Sequence, residues 1–205
     1  MAQFKSTTFG KISGKHGDAV AAVRKDGTCI LKVYRVASNP NTAGQKNQRG
    51  KFGFVMKELN CMRKLFTATL GGQYGINKAV AIAMKNAVQG EFPDFELDYN
   101  HVQISEKLIP SQIHFVITSV EHLSIKISWM PELWPDDMLT STVSVVVLNP
   151  LTKNTLINEE VAAVTDGSVQ INLPKLFTDT QLHYWLYLTP ANYAAGIQSK
   201  YLGLL

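Results

Sequence analysis

Residues 113–130, IHFVITSVEHLSIKISWM, decide the fold class, because apolar and polar side chains alternate on both sides of a short break. A period of two places the apolar side chains on one face of a β-strand. The same pattern recurs to the end of the chain in short runs separated by turn residues such as Asn149-Pro150 and Asp166-Gly167, the latter read as a hairpin turn. The predicted strands span residues 99–105, 113–120, 123–130, 141–148, 155–164, 168–173, 181–189 and 198–204. Seven or eight short strands at this spacing predict a β-sandwich.

The residues before 99 follow other patterns. Two strand-like runs, 19–24 and 28–36, flank Asp26-Gly27, a dipeptide that favours a tight hairpin turn because both residues tolerate positive φ. A helix is predicted from about residue 43 to residue 69, with Thr42 and Gln45 as a capping box at its start. A second helix is predicted from Asn77 to Gln89, followed by a linker over residues 93–98.

Two stretches of the C-terminal part resemble fibronectin type III domains. LSIKISWMP, residues 123–131, is similar to the strand of that fold that leads to a core tryptophan and a proline, so Trp129 is expected in the core. LPKLFTDTQLHYWLY, residues 173–187, resembles the corner and sixth strand. The predicted fold class is therefore α+β: a β-hairpin or meander plus a two-helix hairpin in domain 1–96, then an antiparallel immunoglobulin-like sandwich in domain 97–205.

A second resemblance covers nearly the whole chain. Its motifs are Gly14-Lys15-x-Gly17-x-x-Val20, Asn39-Pro40-x-Thr42-x-x-Gln45-x-x-x-Arg49-x-x-Phe52, Gly90-x-x-Pro93, Asp98-Tyr99, Ile104-Ser105 and Ser199-x-Tyr201-Leu202-Gly203. Together they resemble an uncharacterised protein family of Bacteroidota genomes, which implies no particular activity. The segment from Asn39 to Arg49 is also similar to short segments of phage-encoded structural proteins, which favours an assembly role.

Charge is distributed unevenly along the chain. Residues 1–65 contain 13 Lys or Arg and three acids, whereas the rest contains seven bases and 13 acids. Such polarity suggests an acidic partner: a nucleic acid, another protein, or the acidic half of a second copy. The alternative is an ordinary solvated basic face. The predicted basic contact surface lies on the first helix and comprises Lys46, Arg49, Lys51, Lys57 and Lys64.

Patterns typical of catalysis, metal binding or cofactor binding are absent from the sequence. Residues 10–17, GKISGKHG, have GxxxGK rather than GxxxxGK spacing, and a strand rather than a helix is expected to follow, so we interpret them as a glycine-rich hairpin turn. Cys29 and Cys61 have no zinc or redox spacing and are expected to be buried thiols. We therefore expect no enzymatic activity, no metal and no cofactor.

Three functional hypotheses follow, in order of preference. The first is a structural or assembly protein that contacts its own copies or other proteins, with a phage or mobile-element origin as one interpretation. The second is nucleic-acid binding through the basic half. The third is a carbohydrate- or protein-binding sandwich that uses Trp134, which lies in a loop-like segment, as an exposed aromatic. Since no apolar export segment or membrane span is visible, we expect a cytoplasmic protein or an assembly exported without Sec, and no membrane partner.

Overall fold

The computed structural model describes residues 2–4, 12–36, 39–121, 123–177, 181–192 and 196–204. Its contacts divide the chain into two compact units, Met1–Thr42 and Ala43–Leu205. The division falls after Thr42, not at the boundary between residues 96 and 97 that the sequence predicts. The physical reason is that the helices of the second unit share a core with its β-sandwich, so no boundary can separate them.

The first unit is a four-stranded antiparallel sheet. Its strands are β1 (Ala2–Phe4), β2 (Gly14–His16), β3 (Ala19–Val23) and β4 (Cys29–Val33), in the order β1-β4-β3-β2. The predicted hairpin is confirmed between β3 and β4, where the Asp26 carboxylate accepts a hydrogen bond from the Thr28 amide at 3.0 Å. The glycine-rich segment forms β2 and the turn into β3, with Gly17 at φ +56°, although residues 10 and 11 lie outside the described residues. This strand pairing confirms a hairpin and leaves no helix to cradle a phosphate.

The helices open the second unit. They are α1 (Ala43–Leu59), α2 (Arg63–Thr69) and α3 (Gly75–Asn86). The single helix predicted over residues 43–69 is wrong at one point, because a 3₁₀ turn at Asn60–Met62 separates α1 from α2. The second predicted helix begins earlier and ends at Asn86 rather than Gln89. None of the helices among the described residues is long and apolar enough to span a membrane.

Two predictions about the junction between helices and sandwich are wrong. The predicted linker forms a hairpin of β5 (Val88–Glu91) and β6 (Asp94–Leu97). The strand predicted over residues 99–105 is a 3₁₀ turn at Tyr99–His101 followed by irregular chain and a two-residue strand, β7 (Lys107–Leu108). The Asp98 carboxylate accepts a hydrogen bond from the Asn100 amide at 3.0 Å and so caps this turn.

The predicted sandwich is confirmed. Its strands are β8 (Phe115–Glu121), β9 (Ser124–Trp129), β10 (Thr142–Asn149), β11 (Asn154–Ala163), β12 (Ser168–Asn172), β13 (His183–Thr189) and β14 (Gln198–Leu204). One sheet has the order β12-β9-β8 and the other β11-β10-β13-β14-β7, with β7 parallel to β14. The strands are divided between these two sheets as in immunoglobulin-like domains. The predicted hairpin at Asp166-Gly167 is wrong, since this turn carries the chain from β11 in one sheet to β12 in the other.

Strand β10 explains why helices and sandwich form one unit. Val143, Val145 and Val147 pack into the core between the two sheets. Val146 and Leu148 point to the opposite face of the same sheet, where they pack against the helices. The unit therefore has three layers, with the five-stranded sheet in the middle. A strand buried on both faces has a nearly continuous apolar run, and residues 143–148, VSVVVL, supply it with Ser144 as the one polar residue.

Candidate functional site

The helical layer of the second unit is strongly basic. Residues 43–86 carry eight Lys or Arg and one acid, Glu58, whereas residues 87–205 carry five bases and 13 acids. The charge polarity read from the sequence is therefore present within a single compact unit. Its positive side is the layer of helices and its negative side is the β-structure that follows.

The structure brings together only part of the predicted basic surface. At about 100° per residue, Lys46, Arg49 and Lys57 fall on one face of α1, and all three are exposed. Lys51 lies on the opposite side of α1, close to the direction of the buried Val55, and is only partly exposed. Lys64 is exposed on α2, beyond the 3₁₀ turn. The surface on one helix face is thus three residues, not five.

Glu58, the acid of the helical layer, faces a polar cluster rather than these cations. Its Oε2 accepts a hydrogen bond from the Tyr99 hydroxyl at 3.1 Å and forms an ion pair with Lys153. Among the described residues, no carboxylate forms an ion pair with Lys46, Lys57 or Lys64. Lys46, Lys57 and Lys64 are therefore available to an acidic partner.

The cluster continues through aromatic side chains between the helices and the sheet. The rings of Tyr99 and His183 have centroids 4.2 Å apart, and His183 Nδ1 lies 2.7 Å from Tyr201 Oη. The Trp185 indole donates to the Val102 carbonyl at 3.1 Å. Sequence analysis missed this cluster, because residues in direct contact, such as Glu58 and Lys153, lie as much as 95 positions apart and have no local spacing to reveal them.

The electrostatics of this cluster favour a structural role. Burial and the nearby Glu58 carboxylate raise the pKa of Tyr99, so its phenol stays protonated. Burial lowers the pKa of His183 and raises the pKa of the Cys61 thiol, which makes that thiol a poor nucleophile. Across the described part of the chain, no group of three His, Cys, Asp or Glu is placed to hold a metal ion.

Trp134 is buried, so the prediction of an exposed aromatic at this position is wrong. Only 5% of its surface is exposed, and its ring packs edge-on against Phe115 with centroids 5.7 Å apart. It follows a 3₁₀ turn at Pro131–Leu133 that directs the side chain inward, although the backbone is a surface loop. Its indole nitrogen has no hydrogen-bond partner among the described residues. An unpaired buried N–H costs about 1–3 kcal/mol.

Trp134 and Trp129 instead form the wall of an apolar pocket of about 290 Å³. Val116, Met130 and Leu133 line the same pocket and are each more than half exposed. The neighbouring strand β8 is an edge of its sheet, and no described strand pairs with its outer side. An apolar pocket beside an open strand edge is a site where another chain can bind.

The N-terminal sheet carries a second exposed apolar surface. Val33 lies opposite Ala19 and Leu31 lies opposite Ala21, so these four side chains share one face. Ala21 is buried, but Leu31 is 36% and Val33 is 74% exposed. After the strand, Val36 is 81% exposed. Part of this face therefore has no covering layer among the described residues.

Comparisons with known proteins identify the family and leave its activity open. No curated protein and no solved structure shows significant similarity to the chain. The profile of one family, described as a family of unknown function, DUF6266, matches residues 11–203, which is nearly the whole sequence. The chain belongs to this family of unknown function, DUF6266.

Proposed function

We propose that this protein is a non-enzymatic structural or assembly protein that acts through contacts with other copies of itself or with other proteins. The observation that carries this proposal is the exposed apolar surface of the N-terminal sheet. Its described buried apolar residues are only Ala21, Cys29 and Ile30, while Leu31, Val33 and Val36 are exposed. A unit of 42 residues is near the size below which a fold needs a disulfide, a metal or a partner.

The described residues contain neither a disulfide nor a metal site that could stabilise this unit. Cys29 and Cys61 are free thiols, and no metal cluster is found in the described part of the chain. A protein partner that covers Leu31 and Val33 supplies the missing apolar contacts. Burial of such side chains is largely independent of ionic strength, unlike contacts between surface charges.

The test is the solution mass of the full chain by light scattering over a range of concentrations, at low and high salt. We expect an oligomer that persists at high salt in the wild-type protein. Val33→Lys should shift it towards the monomer, because a charge on the exposed face opposes burial. Leu151→Lys, at a turn position that is 76% exposed, is the matched control and should leave the mass unchanged.

A monomer at all concentrations would contradict self-association. The proposal would then require another protein, to be captured with the wild-type chain but not with Val33→Lys. If neither an oligomer nor a partner that depends on Val33 is found, the assembly function is refuted.

A second function, nucleic-acid binding, is favoured by the basic face of α1. Lys46, Arg49 and Lys57 project from one side of the helix, as point charges that can neutralise neighbouring phosphates. Each phosphate contact contributes about 0.9 to the slope of log affinity against log salt on duplex DNA. We expect Lys46→Gln with Lys57→Gln to lower that slope by about 2 if this face binds DNA.

Fluorescence anisotropy with a random DNA duplex measures this slope. Lys126→Gln, on β9 at the opposite side of the unit from the helical layer, is the matched control for loss of positive charge. Binding that does not weaken with salt, or that is unchanged in the α1 double variant, would remove this function.

A further inference from the structure

The apolar pocket has two core residues, Trp129 and Trp134, as its wall, but it opens to the surface. Its rim exposes Val116, Met130 and Leu133, by 59%, 65% and 58%. Single exposed apolar residues are common on protein surfaces, but three large ones around one concavity form a contiguous apolar patch, which is typical of a binding site. A volume of about 290 Å³ accommodates one or two aliphatic side chains but is at the lower limit for a small organic ligand.

The loop beside this pocket is acidic. Residues 131–137, PELWPDD, carry Glu132, Asp136 and Asp137 and no base, and all three carboxylates are exposed. The pocket walls Leu133 and Trp134 lie within this loop. A partner is therefore expected to present an apolar side chain with positive charges next to it.

The chain itself contains a segment with that chemistry. Residues 32–36, KVYRV, place Lys32 and Arg35 beside Val33 and Val36, and the two valines are 74% and 81% exposed. The whole N-terminal unit, residues 1–42, carries seven Lys or Arg and two Asp. Apolar content and charge both complement the pocket and its acidic loop.

We propose that the pocket formed by Val116, Trp129, Met130, Leu133 and Trp134 receives segment 32–36 of a second copy of this chain. Val33 or Val36 fills the pocket, while Lys32 and Arg35 lie against the carboxylates of loop 131–137. The outer edge of β8, which pairs with none of the described strands, offers backbone groups to the incoming segment. This inference rests on the proposed assembly function and names the surfaces that it uses.

The contact joins two different surfaces, so two copies can exchange segments reciprocally in a closed twofold dimer, or each copy can donate its segment to the next copy. Each copy has one segment to donate and one pocket to fill. Repetition of such a contact produces a closed ring if the rotation between copies closes, and a filament if it does not. A reciprocal dimer is therefore the smallest assembly that fills every pocket, and rings or filaments are the larger ones.

Disulfide trapping between two full-length variants tests the contact directly. Val36→Cys and Met130→Cys are prepared separately, mixed, and oxidised with oxidised glutathione. We expect a cross-linked heterodimer in at least tenfold excess over the mixture of Val36→Cys with Leu151→Cys, an exposed control position outside the pocket. Val36 and Met130 are both exposed, so neither substitution should disturb folding.

The possible outcomes separate this inference from the function on which it rests. If light scattering shows an oligomer but the Met130 pair cross-links no better than the Leu151 control, assembly stands and the pocket inference is overturned. If Val36→Cys/Met130→Cys on one chain closes an intramolecular disulfide at high dilution, the occupant is the chain's own segment and the second copy is ruled out. If the wild-type chain is monomeric, both self-association and the pocket contact between two copies are refuted.

Discussion

Gly75→Ala should destabilise the second unit because there is no space for a methyl group where α3 begins. A Cβ at this position would lie 1.9 Å from the Phe66 carbonyl oxygen and 2.6 Å from its carbon. Real Cβ contacts are essentially never below 3.0 Å, so α3 must move by about 1 Å away from the backbone of α2. The backbone of Gly75 is ordinary helix, so the effect comes from this close approach and not from a special φ.

The size of the effect follows from two opposing terms. Extra atoms forced into a packed interior cost about 1–3 kcal/mol. Replacement of Gly by Ala in a compatible conformation gains about 0.4–1 kcal/mol. We expect a net loss of about 1–2 kcal/mol, which lowers Tm by roughly 2–8 °C in a unit of this size.

Urea unfolding, followed by far-UV circular dichroism and by tryptophan fluorescence, measures the free energy of unfolding. Gly53→Ala is the matched control, because Gly53 lies within α1 and a Cβ there has nothing within 4 Å. It should gain up to about 1 kcal/mol of stability. If Gly75→Ala is as stable as the wild-type protein, or if both variants change in the same direction, the packing of α3 against α2 described here is incorrect.

Three further predictions concern residues of the second unit. Trp134→Ala should lower the free energy of unfolding by about 3–5 kcal/mol in urea melts, since Trp134 is a core residue; an unchanged free energy would instead support the exposed aromatic that the sequence predicts. Lys153→Met should cost about 1–2 kcal/mol by leaving the Glu58 carboxylate half-buried without its ion pair, and a double-mutant cycle with Glu58→Gln should show coupling. Burial lowers the pKa of His183, so the unfolded chain takes up a proton first, and stability should fall as pH decreases through about 6.5; thermal melts from pH 8 to pH 5 should show a weaker decline in His183→Gln.

Local patterns predicted the sandwich well. Strands β8 to β14 follow runs in which apolar residues alternate, and this alternation is a property of a few neighbouring residues. The Asp26-Gly27 hairpin was equally accessible, because turn chemistry is set within four residues. Trp129 was correctly expected in the core, where its indole donates to the Val164 carbonyl at 2.6 Å.

The errors arose where tertiary contacts override local pattern. Val102 and Ile104 alternate like strand residues, yet they are buried among helices and sheet, and no strand in the described part of the chain pairs with them. The hairpin of β5 and β6 depends on Gly90, where φ is +80° and a Cβ would lie 2.4 Å from the Asp94 carbonyl oxygen. Trp134 stands in a true surface loop, but whether a loop side chain turns inward depends on what lies beneath it.

The candidate surfaces were less predictable than the fold, for a related reason. The basic residues of α1 were visible in the sequence, but their positions around the packed helix were not. Lys51 lies near the buried side of α1, so it is not on the face that the other lysines share. The apolar pocket combines residues of β8, β9 and the loop after β9, whose proximity exists only after the sheets have formed. Sequence alone showed that charge was polarised and could not show where apolar surface remained uncovered.

The distribution of apolar and charged surface determines which element is the better candidate for binding. The apolar side of α1 and of the turn after it is already used, since Val55, Leu59 and Met62 are fully buried against the sheet. The outer side of α1 therefore contributes mainly charge, and any association through it must weaken steeply as salt increases. The N-terminal segment and the tryptophan pocket expose apolar side chains, so an association through them must largely survive high salt. Ionic strength alone thus distinguishes a nucleic-acid contact on the helices from a protein contact on the segment and the pocket.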